Sequence, residues 1–503
     1  MERLAELIQD HPDTDNAIGA PGRDWMTYGD LRTLTLTVRQ TLRAAGIGAQ
    51  DRVAIVLPNG PEMAAAFVTV AQSATTAPLN LAYKEDEFAF YLEDLKAKAI
   101  IVETDYDGPA RRVAKRFDMI VIELTENNPA GSFTLSTTAT GSAADTVPGS
   151  DDVALILHTS GTTSRPKIVP LLQSNVAASA VNVRDSLALT KDDCCLNVMP
   201  LFHIHGLIAA VSGSLAAGAS ISCAPGFDTL KFFSWLEEVG PSWYTAVPTM
   251  HQAILARAPR NAAIIENARL RFLRSSSSSL PGPVMTQLAE TFGAPVVEAY
   301  GMTEAAHQMC CNPIEPGRQK PGAVGLPAGP EVRIADEIEN RLINGVGEIS
   351  ISGPNVTPGY EANPEANEKN FFEAEGKRWF RTGDQGEFDK DGFLSLTGRL
   401  KEIINRGGEK ISPLEVDGIL SDHPAVGQCV TFAVPHAKLG EDVGAAVVLK
   451  EGQSATDREI RDFASQRLAA FKVPRKILIL DEIPKGATGK LQRIGLAEKL
   501  GLG

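Results

Sequence analysis

The chain has 503 residues, of which 43% are hydrophobic and 22% charged, enough apolar content to fill more than one core. A formal net charge of −14 sets a repulsive background for phosphate backbones and acidic membrane surfaces, so neither nucleic acid nor stable membrane insertion is expected. The cysteines fall as two adjacent pairs, Cys194 with Cys195 and Cys310 with Cys311, plus Cys223 and Cys429; neighbours rarely bridge and no C-x-x-C spacing occurs, which points to a reducing, cytoplasmic setting.

In chain order, β-branched runs at Arg52–Leu57, Ala99–Glu103 and Met119–Glu123 alternate with helical segments at Pro61–Ala74 and Glu85–Ala97, the pattern of a layered α/β domain. Val153–Leu157 reads as a buried strand that runs straight into HTSGTTSRPKIVP, His158 to Pro170. The most apolar stretch, Leu207–Ala224, is diluted by Gly and Ser and does not read as a membrane span. From Gly347 the texture changes: EISISG alternates like a half-buried strand, and GEFDKDGFLSLTGR holds a hairpin turning at Asp389–Gly392. Beyond Leu400 come strands near Gly427–Val434 and Gly444–Leu449, a helix from about Asp457 to Ala470, a strand at Lys476–Leu480 and a glycine-punctuated tail. A boundary is expected at Lys401, dividing the chain into residues 1–400 and 401–503.

The loop after the Val153 strand carries hydroxyls at Thr159, Ser160, Thr162, Thr163 and Ser164, a glycine at Gly161 and cations at Arg165 and Lys167. Hydroxyls, backbone N–H groups exposed by glycine and nearby cations are what a polyphosphate needs, because each anionic oxygen takes charge-assisted hydrogen bonds. A solvated Ser/Thr loop is the plain alternative. The Walker pattern is absent, since neither Gly376-Lys377 nor Gly489-Lys490 has the required upstream glycine or a following hydroxyl. In PLFHIHGL, His203 and His205 share one face if the segment is extended; a metal pair is the alternative reading, but no acidic or Cys ligand stands at zinc spacing.

Four more motifs follow the loop: EAYGMTEA (Glu298–Ala305), RTGDQGEF (Arg381–Phe388), GRLKEIINRGGEKISPLEVD (Gly398–Asp417) and PKGATGK (Pro484–Lys490). In this order, over roughly Asp151 to Lys490, they resemble the adenylate-forming superfamily of acyl-CoA synthetases, luciferases and peptide-synthetase adenylation domains. The resemblance implies an α/β fold: a large N-terminal layered domain with a β-rich subdomain, plus a small mobile α+β C-terminal lid. It implies ATP, Mg²⁺ and coenzyme A as cofactors and substrates, and two half-reactions. A carboxylate displaces pyrophosphate from ATP to give an acyl-adenylate, and a thiol then displaces AMP.

By match to the family, Thr159, Ser160, Gly161, Thr162 and Thr163 contact the phosphates with Lys167 supporting the loop. Glu304 holds Mg²⁺ and Thr303 reaches the α-phosphate. Tyr300 and Gly301 border adenine, Asp384 accepts the ribose hydroxyls and Arg399 lies beside the same sugar. Lys490 is the lysine that reaches the reacting carboxylate and α-phosphate; Lys401 is the hinge, and Gly407 and Gly408 border the coenzyme A channel.

LHTSGTTSRPK, PLFHIHGL, WYTAVPTMHQAIL, RFLRSSSSSL, EAYGMTEAAHQM, INRGGEKISPLEVD and AAFKVP resemble, more narrowly, the oxalate-CoA ligase branch of the acyl-CoA synthetases. The acyl pocket that this implies comprises His203, His205, Arg274, Ser275, Ser277, Ala299 and His307, hydroxyls and cationic or donor groups suited to a small dianion. The malonate branch generally carries an arginine at the position of Ala299. Malonate, a medium-chain or coumarate-like acid, and amino-acid adenylation are the alternatives. The protein is expected to act as a monomer or homodimer.

Overall fold

The computed structural model describes residues 1–159, 166–484 and 491–503. Among these, four sheets account for the strands, and no helix is long and apolar enough to cross a membrane.

The first two sheets form the larger, N-terminal part. In one, Arg52–Val56, Thr75–Pro78 and Ala99–Glu103 pair in parallel, and Val153–Thr159 with Lys167–Leu172 closes one edge as an antiparallel pair. In the other, Cys194–Asn197, Ser220–Cys223, Trp243–Ala246, Phe272–Ser275 and Val296–Met302 run parallel, and His307–Cys311 returns antiparallel beside the last. Parallel strands covered on both faces need continuous apolar runs rather than alternation, which these supply. Between the two sheets lies one core of Val53, Phe67, Leu155, Ile208, Ile221, Trp243 and Val297. The helix Pro61–Ala71 fills this space. Its sequence PEMAAAFVTVA starts with proline at the first turn and is buried at every position but Glu62, so an all-round apolar helix is the form that satisfies both sheets. On the outer faces, Phe88, Leu92 and Val113 cover the first sheet, while Phe232, Ile254 and Leu288 cover the second.

A third sheet contains Glu331–Ala335, Gly347–Ser352 and Lys377–Phe388, with Leu394–Arg399 paired to the last. The EISISG strand is not half-buried as its alternation suggested: it is central in the sheet, and Glu348 and Ser350 are themselves buried. Glu348 tolerates this because Arg381 donates to it at 2.7 Å and the Gly383 N–H at 3.0 Å. The hairpin turns where expected. Asp389 Oδ1 accepts from the N–H groups of Asp391 and Phe393, Gly392 takes a φ of 82°, and the resulting register sets Asp384 opposite Arg399.

The smaller C-terminal domain is built on a fourth sheet, of Ile404–Arg406, Glu409–Ile411, Val426–His436, Gly440–Leu449 and Lys476–Ile479. The helix Pro413–Ser421 is capped by the Ser412 hydroxyl, and Asp457–Ser465 by a Thr456/Glu459 capping box. The latter helix stops at Ser465 rather than Ala470. The Arg467 and Leu468 N–H groups both close on Ala464, and the chain turns back through Pro474 into its last strand. Lys401 lies in the turn between the third and fourth sheets, just beyond the Leu400 N–H that still bonds Gly383.

Candidate functional site

The antiparallel pair His158 with Ile168 and Thr159 with Lys167 forms the base of the hydroxyl loop. Ser160, Gly161, Thr162 and Thr163 lie outside the described residues, as does Lys490. Ile168 is buried in the apolar cluster over the outer face of the first sheet. Lys167 Nζ sits 4.2 Å from the centre of the Tyr360 ring, and the Tyr360 hydroxyl donates to Glu304 Oε1 at 2.7 Å. Glu304 is only 6% exposed; burial raises its pKa, opposed by the Tyr360 hydrogen bond and by Lys167. Burial in turn lowers that of Lys167, opposed by Glu304. A cation, a phenol and a carboxylate thus meet beside the loop. Thr303 and Glu304 share a short 3-10 turn, fixed by the Thr357 N–H bonded to the Glu304 carbonyl at 2.8 Å.

A second group forms around Tyr300, in the strand that leads into the Thr303 turn. The Tyr300 hydroxyl donates to Asp384 Oδ2, and Arg399 Nε donates to Asp384 Oδ1 at 3.2 Å. Asp384 is 7% exposed and Arg399 is exposed; burial raises the Asp384 pKa and the guanidinium opposes it. Gly301 follows Tyr300 at a point where a Cβ would fall 1.8 Å from the His307 carbonyl oxygen, so no other residue fits between these two strands.

Glu298, in the same strand, is buried with its carboxylate accepting from the Leu280 N–H, and burial pushes its pKa up to about 7. The protonated form is the one the fold favours, so the stability it brings is fully present below the ordinary pKa of 4.5 and is lost as pH rises through about 7. Glu298→Gln is therefore expected to raise the unfolding free energy above that pH by on the order of 2 kcal/mol, with the gain vanishing in acid; denaturant melts across the pH range read it directly.

The third group is the acyl-pocket set. Arg274 is fully buried on the strand Phe272–Ser275, whose register with Trp243–Ala246 puts Thr245 beside it. Its Nη1 donates to His205 Nε2 at 3.2 Å and its Nη2 to His307 Nε2 at 2.9 Å; Gln308 Oε1 accepts at 3.3 Å. The two imidazoles stack with centroids 5.2 Å apart. His205 also meets the Thr245 hydroxyl at 2.6 Å through Nε2 and the Ser277 hydroxyl at 3.0 Å through Nδ1. No carboxylate among the described residues pairs with Arg274, and its Nε and the Ser275 hydroxyl are buried without a described partner. Ser277, Ala306 and His307 all have positive φ, of 73°, 47° and 101°, strained for residues with side chains.

His203 and His205 do not share the face of an extended segment. Gly206 packs so closely on the Pro200 carbonyl that a Cβ would approach it to 2.4 Å, and His205–Ser212 winds as a wide π-helix whose every residue is buried. His203 instead accepts the His205 N–H through Nδ1 at 3.3 Å. Ala299 is buried, its carbonyl bonded by Ser276. Gly407 and Gly408 sit in a turn with φ of 61° and 97°, which makes glycine a backbone requirement there. One connection, Val296–Met302 through the Thr303 turn to His307–Cys311, carries residues of all three groups.

Tyr360, Thr245 and Gln308 were not anticipated. Tyr360 follows a Pro-Gly pair, a turn signal that says nothing about a partner 56 residues upstream.

The family described as AMP-binding enzyme matches residues 4–361, and that described as AMP-binding enzyme C-terminal domain matches residues 415–490. The chain is 44% identical to the oxalate–CoA ligase of Arabidopsis thaliana over 98% of this chain and 96% of that protein. It is 42% identical to the oxalate–CoA ligase of Saccharomyces cerevisiae, covering 97% and 93%. The crystal structure of ATP-bound MatB from Rhodopseudomonas palustris superposes with a TM-score of 0.87 at 27% identity, covering 99% of this chain and 98% of that one.

Proposed function

The chain belongs to the AMP-binding enzyme family as an adenylate-forming acyl-CoA ligase, and from that premise we propose that its carboxylate is oxalate, converted with ATP and coenzyme A to oxalyl-CoA, AMP and pyrophosphate. The observation that carries the choice is Arg274. An unpaired guanidinium in the interior is costly unless an anion or hydrogen bonds offset it, and every described partner of this one is a neutral acceptor. An acid with a second carboxylate supplies the missing charge; an apolar acid leaves it unmet. The arginine that the malonate branch holds next to the tyrosine is Ala299 here, and the charge enters instead from the neighbouring strand.

In the first half-reaction an oxalate oxygen forms a bond to the α-phosphorus of ATP and pyrophosphate leaves. The hydroxyl loop from Thr159 to Thr163, with Lys167, holds the phosphates; Asp384 and Arg399 hold the ribose, and Tyr300 with Gly301 borders the adenine. Among the described residues no group of three or more His, Cys, Asp or Glu side chains is placed to hold a metal, which suits a Mg²⁺ that Glu304 would bind with its other ligands taken from phosphate and water oxygens. That ion would neutralise charge on the leaving phosphates. In the second half-reaction the small domain turns about Lys401, coenzyme A enters past Gly407 and Gly408, and its sulfur bonds to the acyl carbon as AMP leaves.

Coenzyme-A-dependent AMP release, measured with oxalate, malonate, acetate, coumarate and a set of amino acids, tests the reading. Oxalate is expected to give the highest kcat/KM. Turnover with a bulky acid and none with oxalate would remove the substrate assignment.

A further inference from the structure

Lys167 is half-buried and Glu304 buried, a setting in which attraction is only weakly screened and opposite charges ordinarily close into a direct ion pair. These two make none. Among the described residues the Lys167 ammonium rests over the Tyr360 ring, 4.2 Å from its centre, and Glu304 Oε1 accepts from the hydroxyl of the same ring at 2.7 Å. We propose that Tyr360 is a positioning residue, a spacer that holds ammonium and carboxylate apart so that neither neutralises the other before ATP and its metal arrive.

The fold fixes this spacer to both of the elements that carry the charges. The Thr357 N–H bonds the Glu304 carbonyl at 2.8 Å, while the Thr357 hydroxyl donates to the Pro170 carbonyl at 2.7 Å. Just past the tyrosine, the Glu361 N–H bonds the carbonyl of Ile168, the neighbour of Lys167, at 3.1 Å. The segment is thereby stitched to the Thr303 turn on one side and to the strand Lys167–Leu172 on the other. Asn367, on the helix Pro364–Asn370, takes both polar backbone groups of Tyr360: its Oδ1 accepts the N–H at 2.7 Å and its Nδ2 donates to the carbonyl at 2.8 Å. Phe380 packs edge-on against the ring, with centroids 6.3 Å apart. A phenol suits the task. Its face attracts a cation without cancelling the charge, and its hydroxyl bonds a carboxylate while keeping its own proton. The two contacts also reinforce each other, because a cation over the ring draws electron density from it and makes the O–H a stronger donor. A carboxylate held by a neutral donor keeps its charge for a hard cation, and an ammonium resting on a ring keeps its charge for phosphate oxygens.

This inference rests on the proposed roles of Glu304 toward Mg²⁺ and of Lys167 toward the phosphate loop, but the separation of the two side chains is measurable without them. A crystal structure of nucleotide-free Tyr360→Leu is expected to show a direct Lys167–Glu304 ion pair. Calorimetric titration of the same variant with ATP, with and without Mg²⁺, should show the gain in affinity on adding the metal reduced about tenfold, and adenylation lowered by on the order of 10²-fold. Tyr360→Phe keeps the ring and its packing, so it reports even where Tyr360→Leu fails to fold. It should leave the two charges apart and lower adenylation about tenfold, through the lost hold on Glu304. Lys167 and Glu304 still apart in Tyr360→Leu, or adenylation in Tyr360→Phe equal to that of the parent, overturns the proposal. A direct ion pair in Tyr360→Leu with an unchanged Mg²⁺ effect would overturn the assignment of Glu304 to the metal and leave the spacer standing.

Discussion

Lys490→Ala is expected to lower acyl-adenylate formation by on the order of 10²-fold or more while leaving coenzyme A transfer from supplied adenylate intact. Adenylation brings a carboxylate against a polyphosphate, so the transition state gathers negative charge that only prepositioned donors relieve. Thiol attack on the adenylate releases an anion rather than joining two, and it has no need of the same ammonium. Lys490 lies outside the described residues, but its surroundings are informative. Three residues further on, Arg493 is clamped to Asp417 of the helix Pro413–Ser421, and its Nε is 3.8 Å from Glu402 beside the proposed hinge Lys401. The tail is therefore tied to the C-terminal domain and to the turn about which that domain is proposed to swing. Rates of the two half-reactions, measured separately in rapid-quench experiments, check the division of labour; equal loss in both would refute it.

Glu304→Gln is expected to cost adenylation a similar factor, on the order of 10², and yet to yield a protein no less stable than the original. The carboxylate is buried against the Tyr360 hydroxyl and near Lys167, and burial still leaves its pKa raised above the ordinary 4.5. The protonated form is thus the cheaper one to fold around. Stability is full below the ordinary pKa and falls as pH rises through the raised folded value, so the carboxyl group contributes less to the fold at higher pH than it does in acid. Glutamine keeps an acceptor for Tyr360 and removes the charge. Melting curves at neutral pH should place the variant at or above the parent, with the difference closing in acid, while activity is lost at both. A residue retained at a cost to stability marks a site shaped by chemistry. A variant both inactive and strongly destabilised at neutral pH would assign Glu304 a structural role.

The sequence texture and the structure agree where local rules dominate. The strands Arg52–Val56 and Ala99–Glu103 follow from continuous β-branched runs, and the hairpin at Asp389–Gly392 from its turn residues. The disagreements come from tertiary context. EISISG alternates, but Glu348 is drawn into the interior by Arg381, which lies 33 residues away. PLFHIHGL looks extendable, but the close approach of Gly206 to Pro200 and the need for apolar cover on all sides wind it into a π-helix. Within the site, His205, Arg274, Ser277 and His307 were legible from motif and chemistry, and the structure brings them together. Thr245 was not, because a lone threonine inside WYTA becomes meaningful only through the register that sets it beside Arg274. Tyr360 was missed for the same reason: its partners Glu304 and Lys167 are distant in the chain and nothing local announces them.

Isotope exchange between pyrophosphate and ATP, run without coenzyme A, isolates the adenylation step to which Arg274 and Lys490 are proposed to contribute. Oxalate should drive exchange well above acetate or coumarate in the parent protein, and Lys490→Ala should abolish it. Exchange driven by coumarate or an amino acid, with oxalate inert, would contradict the account at its centre.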